Sequence, residues 1–284
     1  MSVHTTNRID TCFAALRARG ETALIPFLTA GDPDLDTTEA LVLAMAAAGA
    51  DLIELGVPFS DPTGEGPTIQ RSSGRALEQG TSLRSILQLV QRLRSKIELP
   101  LVLMGYANPL HAMGAEAFAR SASEVGVDGI IIPDLPPEDG APYLDPCREA
   151  GIHPILLAAP TTRPERLEML MRETRGFLYY SSVQGVTGTR SDLAEGIEKK
   201  VRAAQALGDV PVCVGFGIGT PDQAAVIGAY ADGVVIGSAI VDRIEAAGSK
   251  ASAVEDVARF IEELKAPLRE SGSAVRDRPT SARR

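Results

Sequence analysis

The segment Ala50-Asp51-Leu52-Ile53-Glu54-Leu55 reads as a buried strand that ends on a carboxylate. It runs into Gly56-Val57-Pro58-Phe59-Ser60-Asp61-Pro62-Thr63-Gly64-Glu65-Gly66-Pro67-Thr68-Ile69-Gln70, a Pro- and Gly-rich loop with two more acids. An acid at the end of an apolar strand is costly unless it is paired or used. Three carboxylates around one strand end therefore suggest acid/base equipment. The loop glycines let the backbone close over a ligand.

Working outward, the same kind of strand recurs. The runs Ala23–Leu28, Asp51–Leu55, Leu99–Met104, Gly129–Ile132, Pro154–Leu157, Phe177–Ser181, Val210–Val214 and Gly233–Ile236 are continuous rather than alternating, and each is followed by a helical pattern. Continuous apolar runs are expected of parallel strands covered by helices. Asp36-Thr37-Thr38-Glu39 reads as a capping box ahead of Ala40–Ala48, with Gly49 as the stop. Leu83, Ile86, Leu87, Val90 and Leu93 fall on one helical face, as do Leu193, Ile197, Val201 and Ala204. Eight βα units without a linker predict an α/β fold, a single (β/α)8 TIM barrel spanning residues 1–268; a doubly wound sheet is the alternative. The first twenty residues predict an extra helix plugging the barrel bottom through Cys12, Phe13 and Leu16. Residues 269–284 are charged and non-periodic and read as a disordered polar tail, with a docking arm as the alternative.

Composition narrows the function. The 284-residue chain is 44% hydrophobic, has no Trp and carries a formal charge of −9. That charge argues against nucleic acid or an anionic membrane as partner. An anionic substrate then needs a local site, which helix N-termini supply. Cys12, Cys147 and Cys213 have no CxxC spacing, and His4, His111 and His153 have no metal spacing, so no metal site is expected. The N-terminus lacks a signal-peptide h-region and no run is long enough to span a membrane, which points to the cytoplasm.

In a barrel, chemistry sits at the C-terminal strand ends. Glu54 is there, either as a general acid/base with a raised pKa or as a strand-end Glu paired to an Arg. Glu65, between two glycines, is a second catalytic candidate or a solvated loop residue. Asp61 suits a turn anchor. Gly217, Gly219, Gly237 and Ser238 follow the last two strands, where barrels often hold phosphate; tight turns would use the same glycines. The polar segment Gln184–Arg190 has the composition of a lid. Phe27, Tyr106, Tyr179 and Phe216 lie at strand C-termini and favour a planar apolar ligand. His153 lies at a strand start, the wrong end for catalysis.

From about residue 10 to 265 the chain resembles the tryptophan synthase α-subunit family. The motifs are Ile25–Pro33, Glu54–Pro62, Gly66–Gln70, Tyr106–Pro109, Ile132–Pro137, Gly185–Gly188, Gly215–Ile218 and Gly237–Val241. The resemblance implies retro-aldol cleavage of indole-3-glycerol phosphate to indole and glyceraldehyde 3-phosphate. It implies Glu54 and Glu65 as catalytic residues and Phe27, Tyr106, Tyr179, Thr187, Gly188, Phe216, Gly217, Gly237 and Ser238 as substrate-binding positions. It implies no cofactor in this subunit and a pyridoxal-phosphate β subunit as partner in an α2β2 assembly, with Asp61 and the Pro133–Pro136 turn at the contact. A stand-alone lyase and a non-catalytic ligand-binding activator share these motifs, whereas an epimerase would need a metal set. One position departs from the family: Glu65 stands where Asp is usual.

Overall fold

The computed structural model describes residues 7–181, 190–215 and 217–270. Its elements are α1 (Arg8–Arg19), β1 (Ala23–Thr29), α2 (Leu35–Ala47), β2 (Ile53–Gly56), α3 (Pro67–Glu78), α4 (Leu83–Arg94), β3 (Leu101–Met104), α5 (Ala107–Met113), α6 (Ala115–Val125), β4 (Gly129–Ile131) and α7 (Ala141–Glu149). They continue through β5 (His153–Pro154), β6 (Leu157–Ala158), α8 (Pro164–Glu173), β7 (Leu178–Ser181), α9 (Arg190–Gln205), β8 (Val212–Gly215), α10 (Pro221–Gly228), β9 (Gly233–Ile236), α11 (Ser238–Ala246) and α12 (Lys250–Leu268).

All described strand pairs are parallel, in the order β5-β4-β3-β2-β1-β9-β8-β7-β6. β5 and β6 are two halves of one barrel strand, separated by Ile155 and Leu156. The amide of Ile155 donates to the Ile130 carbonyl and the amide of Tyr179 donates to the Leu156 carbonyl, both at 2.9 Å. This strand therefore closes the sheet, and the predicted eight-unit (β/α)8 barrel is the observed fold.

Strand parity divides the core into two. Leu24, Leu28, Ile53, Leu55, Leu101 and Leu103 face outward and pack under the helices. Ala23, Ile25, Phe27, Leu52, Val102, Met104 and Tyr179 face the barrel interior. Glu54 shares the parity of Leu52 and so points inward. Both faces of each strand are buried, which is why the runs looked continuous in the sequence.

Helix α1 plugs the barrel as expected. Ile9, Phe13 and Leu16 are buried within the interior cluster, and Phe13 meets Phe177 at a centroid distance of 5.9 Å. Gly20, with φ of 67°, ends the helix in the left-handed conformation. His153 lies at this bottom face, its Nε2 2.8 Å from Asp10. Phe13→Ala is expected to cost about 3–5 kcal/mol through lost burial and a residual cavity. Urea unfolding checks this, and a cost below ~1 kcal/mol would disprove the plug's contribution.

Three readings need adjustment. Helix α2 starts a turn earlier than predicted: Asp34 is its N-cap, accepting from the Thr37 amide at 2.6 Å. Glu39 does not close a capping box, because its carboxylate bonds Arg92 and Lys96 on α4. Asp51 lies just before β2, since its carboxylate accepts from the Leu24 amide at 2.8 Å and from Lys265 at 2.9 Å. Of the predicted later helix face, Val201 and Ala204 are fully buried and Ile197 packs against the core. The predicted tail lies, beyond Glu270, outside the described residues.

Candidate active site

Glu54 lies within β2, in register between Phe27 of β1 and Val102 of β3, and the strand runs two residues past the expected carboxylate end, to Gly56. It is fully buried, and neither carboxylate oxygen has a hydrogen-bond partner. The expectation of a strand-end Glu paired to Arg is therefore not met. Burial, reinforced by the nearby charge of Glu65, pushes its pKa up to about 8. At neutral pH Glu54 is a carboxylic acid that can give up a proton without first breaking an ion pair.

Glu65 lies in the loop between β2 and α3, half-buried, and burial raises its pKa as well. The loop is held by local bonds. The Thr63 amide donates to the Asp61 carbonyl at 2.9 Å, the Glu65 amide to the Pro62 carbonyl at 3.0 Å, and Gln70 Nε2 to the Glu65 carbonyl at 2.9 Å. The Gly64 amide donates to Tyr106 Oη at 2.9 Å, and the Tyr106 ring stacks on Phe59 at 5.2 Å. Asp61 is exposed, and its backbone carbonyl rather than its side chain supports the turn.

A cavity of about 280 Å³ opens at the C-terminal rim of the barrel. Phe27, Glu65, Tyr179, Gly217, Gly237 and Ser238 from the sequence prediction all line it. Tyr106 lies instead in a neighbouring space of about 20 Å³, which also touches Glu65 and Phe27. Glu54 lines neither and is sealed from solvent. Its charge is nevertheless felt by Tyr179, whose hydroxyl pKa is raised well above its ordinary value, first by burial and then by Glu54 and Glu65. Thr187, Gly188, Phe216 and most of the predicted lid lie outside the described residues.

Sequence reading missed Ile69, Met104, Ile218, Val235 and Asp242 in the cavity wall. For Met104 and Val235 a signal existed. Counting in twos from Phe27 along paired strands places both on the interior face. The others lie on helices and loops whose packing no period reveals.

The far end of the cavity is suited to an anion. Helix α11 begins at Ser238 with Gly237 as N-cap, and no side chain caps that end. Its first amides thus face the cavity with the positive end of the helix dipole. Gly217, which lines the same cavity, has φ of 74°, a conformation that favours glycine. No Lys or Arg lines the cavity among the described residues.

Two further glycines keep the aromatic walls in place. A Cβ on Gly56 would lie 2.5 Å from Phe27 Cζ, and one on Gly215 would lie 2.2 Å from Tyr179 Oη. Gly56→Ala is expected to drive the Phe27 ring into the cavity, at about 1–3 kcal/mol of overpacking. The expected readout is a rise in KM of roughly tenfold, which corresponds to 1.4 kcal/mol. An unchanged KM would show that the ring has another way out.

The cysteines Cys12, Cys147 and Cys213 are free thiols. Among the described residues no cluster of three or more His, Cys, Asp or Glu is placed to hold a metal, and no helix is long and apolar enough to cross a membrane.

A (β/α)8 barrel with an apolar cavity at its C-terminal rim, Glu65 in the cavity wall, Glu54 buried nearby and an uncapped helix N-terminus beside it has the layout of a barrel lyase. The family profile described as tryptophan synthase alpha chain matches residues 13–269. The tryptophan synthase alpha chain of Geobacter sp. (strain M21) is 49% identical over 259 residues, covering 91% of this chain and 97% of the relative. The crystal structure of the Legionella pneumophila alpha chain superposes with a TM-score of 0.86 at 35% identity, covering 95% of this chain and all of that one. A Mycobacterium tuberculosis tryptophan synthase structure gives 0.84 at 38% identity, covering 93% and 98%. The chain belongs to the tryptophan synthase alpha chain family. Its reaction is the cleavage of indole-3-glycerol phosphate to indole and glyceraldehyde 3-phosphate.

Proposed function

We propose that Glu54 performs the proton transfers of this cleavage and that Glu65 supports the indole ring. The observation that carries the reading is the buried, unbonded Glu54 carboxyl with its pKa near 8 beside a second carboxylate. Protonated Glu54 swings from its sealed position and adds a proton to indole C3, which places positive charge on the ring nitrogen. The Glu54 carboxylate then takes the proton of the adjacent glycerol hydroxyl. As that O–H electron pair forms the aldehyde, the C–C bond breaks and its electrons return to the ring. Glu54 ends as it began, protonated, so one group serves as acid and then base.

Ionised Glu65 accepts the indole N–H while charge develops there. Two neighbouring acids with one proton between them divide these tasks, since each disfavours ionisation of the other. Phe27 and Tyr179 pack the indole. Gly237 and Ser238 at the start of α11 and Gly217 after β8 hold the phosphate through backbone amides, and the family resemblance adds Thr187 and Gly188 to this set. Amides suffice there, which reconciles an anionic substrate with a chain of net charge −9.

The subunit needs no cofactor for this chemistry. The indole passes to a β subunit carrying pyridoxal phosphate, in an α2β2 complex in the cytoplasm. Asp61 and the Pro133–Pro136 turn form part of the contact. In support, Asp134 and Asp61 are exposed at the catalytic end of the barrel. Asp134 Oδ1 accepts the Ala107 amide at 2.9 Å, next to Tyr106, which holds the catalytic loop through Gly64. The test is indole release by the purified chain, with and without an added β subunit. Turnover that rises with the β subunit is expected. No indole in either case would refute the catalytic assignment, and release indifferent to the partner would refute the coupling.

A further inference from the structure

Helices α3 and α11 meet through a line of polar contacts at the rim of the cavity. Thr68 Oγ1 donates to Asp242 Oδ1 at 2.9 Å. Arg71 forks onto Glu245, with contacts of 2.8 Å from Nη2 and 3.1 Å from Nε. Arg75 Nη1 reaches the same Glu245 at 2.8 Å, while its Nε and Nη2 grip Asp32 in a bidentate pair, both at 2.8 Å. The spacing is helical on both sides: positions 68, 71 and 75 form one stripe on α3, and 242 and 245 form one on α11. Asp32 lies in the loop after β1, the strand that supplies Phe27, and is buried.

Each helix starts at one end of the site. Helix α3 begins at Pro67, two residues after Glu65. Helix α11 begins at Ser238, at the anion end. The substrate is a single covalent molecule that must meet both ends together, so their separation has to match its length.

We infer that Glu245, gripping Arg71 and Arg75, is a positioning residue that sets the separation between the loop carboxylate and the phosphate cradle. This rests on the site proposed above. A stability role is a poor alternative, because Arg71 is half exposed and Glu245 a third exposed. Exposed ion pairs contribute little to folding. Their geometric effect is not so limited, since an error of about 1 Å in placing reacting groups can cost roughly a hundredfold in rate.

The informative variant is Glu245→Ala. It frees both arginines from Glu245 but leaves Arg75 on Asp32 and Arg71 within 3.7 Å of Asp242, so no buried charge is stranded. A phosphate-end fragment, glycerol 3-phosphate, is expected to engage the phosphate end without Glu65, so its affinity should not depend on the separation. The expected result is a fall of about tenfold in kcat/KM for indole-3-glycerol phosphate. Affinity for glycerol 3-phosphate should stay within about twofold, with Tm lowered by only a few degrees. Unchanged kcat/KM would overturn the inference. So would a parallel loss of glycerol 3-phosphate affinity, or a large fall in Tm, either of which would mark general loosening of α11. Ser238→Asp tests the underlying site separately: it should abolish glycerol 3-phosphate binding by the otherwise unaltered chain. Unimpaired binding there would overturn the phosphate assignment and the positioning role with it.

Discussion

Replacing Glu54 by Gln is expected to lower kcat for indole release by about 10²–10⁴-fold, towards the upper end because one carboxyl serves as both acid and base. The amide keeps the shape and removes the transferable proton. The same substitution should make the protein more stable at pH 8. The folded-state pKa of Glu54 is raised from 4.5 to about 8. Between those values the folded state holds a proton that the unfolded chain has released, so stability falls as pH rises through that window. Glutamine cannot ionise and abolishes this loss, a gain on the order of a few kcal/mol given 1.36 kcal/mol per pKa unit. Thermal unfolding of both proteins at pH 5 and pH 8 checks it: the gap in favour of the variant should widen at the higher pH. Activity of the parent should share the same limb, with kcat/KM declining above about pH 8 as free Glu54 loses its proton. A variant that retained parental turnover would end the assignment of Glu54.

Glu65→Gln is expected to cost about 10²-fold in kcat, because it removes the negative charge on which the indolium N–H depends. Glu65→Asp separates charge from reach. Aspartate restores the carboxylate but shortens the side chain by one methylene, and Gly64 alongside leaves the loop able to follow. Asp should therefore recover activity to within about tenfold of the parent, a deficit smaller than that of Gln. Steady-state kinetics on the two variants decide the matter. Equal activities for Gln and Asp would mean that charge at residue 65 is irrelevant. Folding should be indifferent to both changes, since Glu65 is only half-buried and forms no ion pair among the described residues.

These predictions rest unevenly on sequence and on structure. The acid ending the Ala50–Leu55 run was visible at once, because a carboxylate among apolar residues has few stable explanations. Its lack of any partner was not visible. An Arg on a neighbouring strand would have produced the same sequence and a depressed pKa, and only the assembled barrel excludes it. Asp34 illustrates the same limit on a smaller scale. Both Asp34 and Asp36 are good helix caps; Asp34 takes the role by accepting both the amide and the hydroxyl of Thr37, while Glu39 bonds Arg92 and Lys96 on α4. Tyr106 was read as a substrate-binding position. That its hydroxyl receives the Gly64 amide, 42 residues away in sequence, was not legible, since no periodic pattern operates over that distance.

By itself the sequence determined the repeating strand–helix pattern, the barrel, the plugging helix and the end of the barrel at which the cavity opens. Those features follow from where apolar side chains recur, and hydrophobic burial acts on such patterns one element at a time. The tertiary structure decided which polar groups meet: Glu54 left unbonded beside Glu65, Tyr106 on the catalytic loop, Glu245 between two arginines. Hydrogen bonds and charges are short-ranged and directional. They therefore depend on atomic positions that exist only once distant elements have packed.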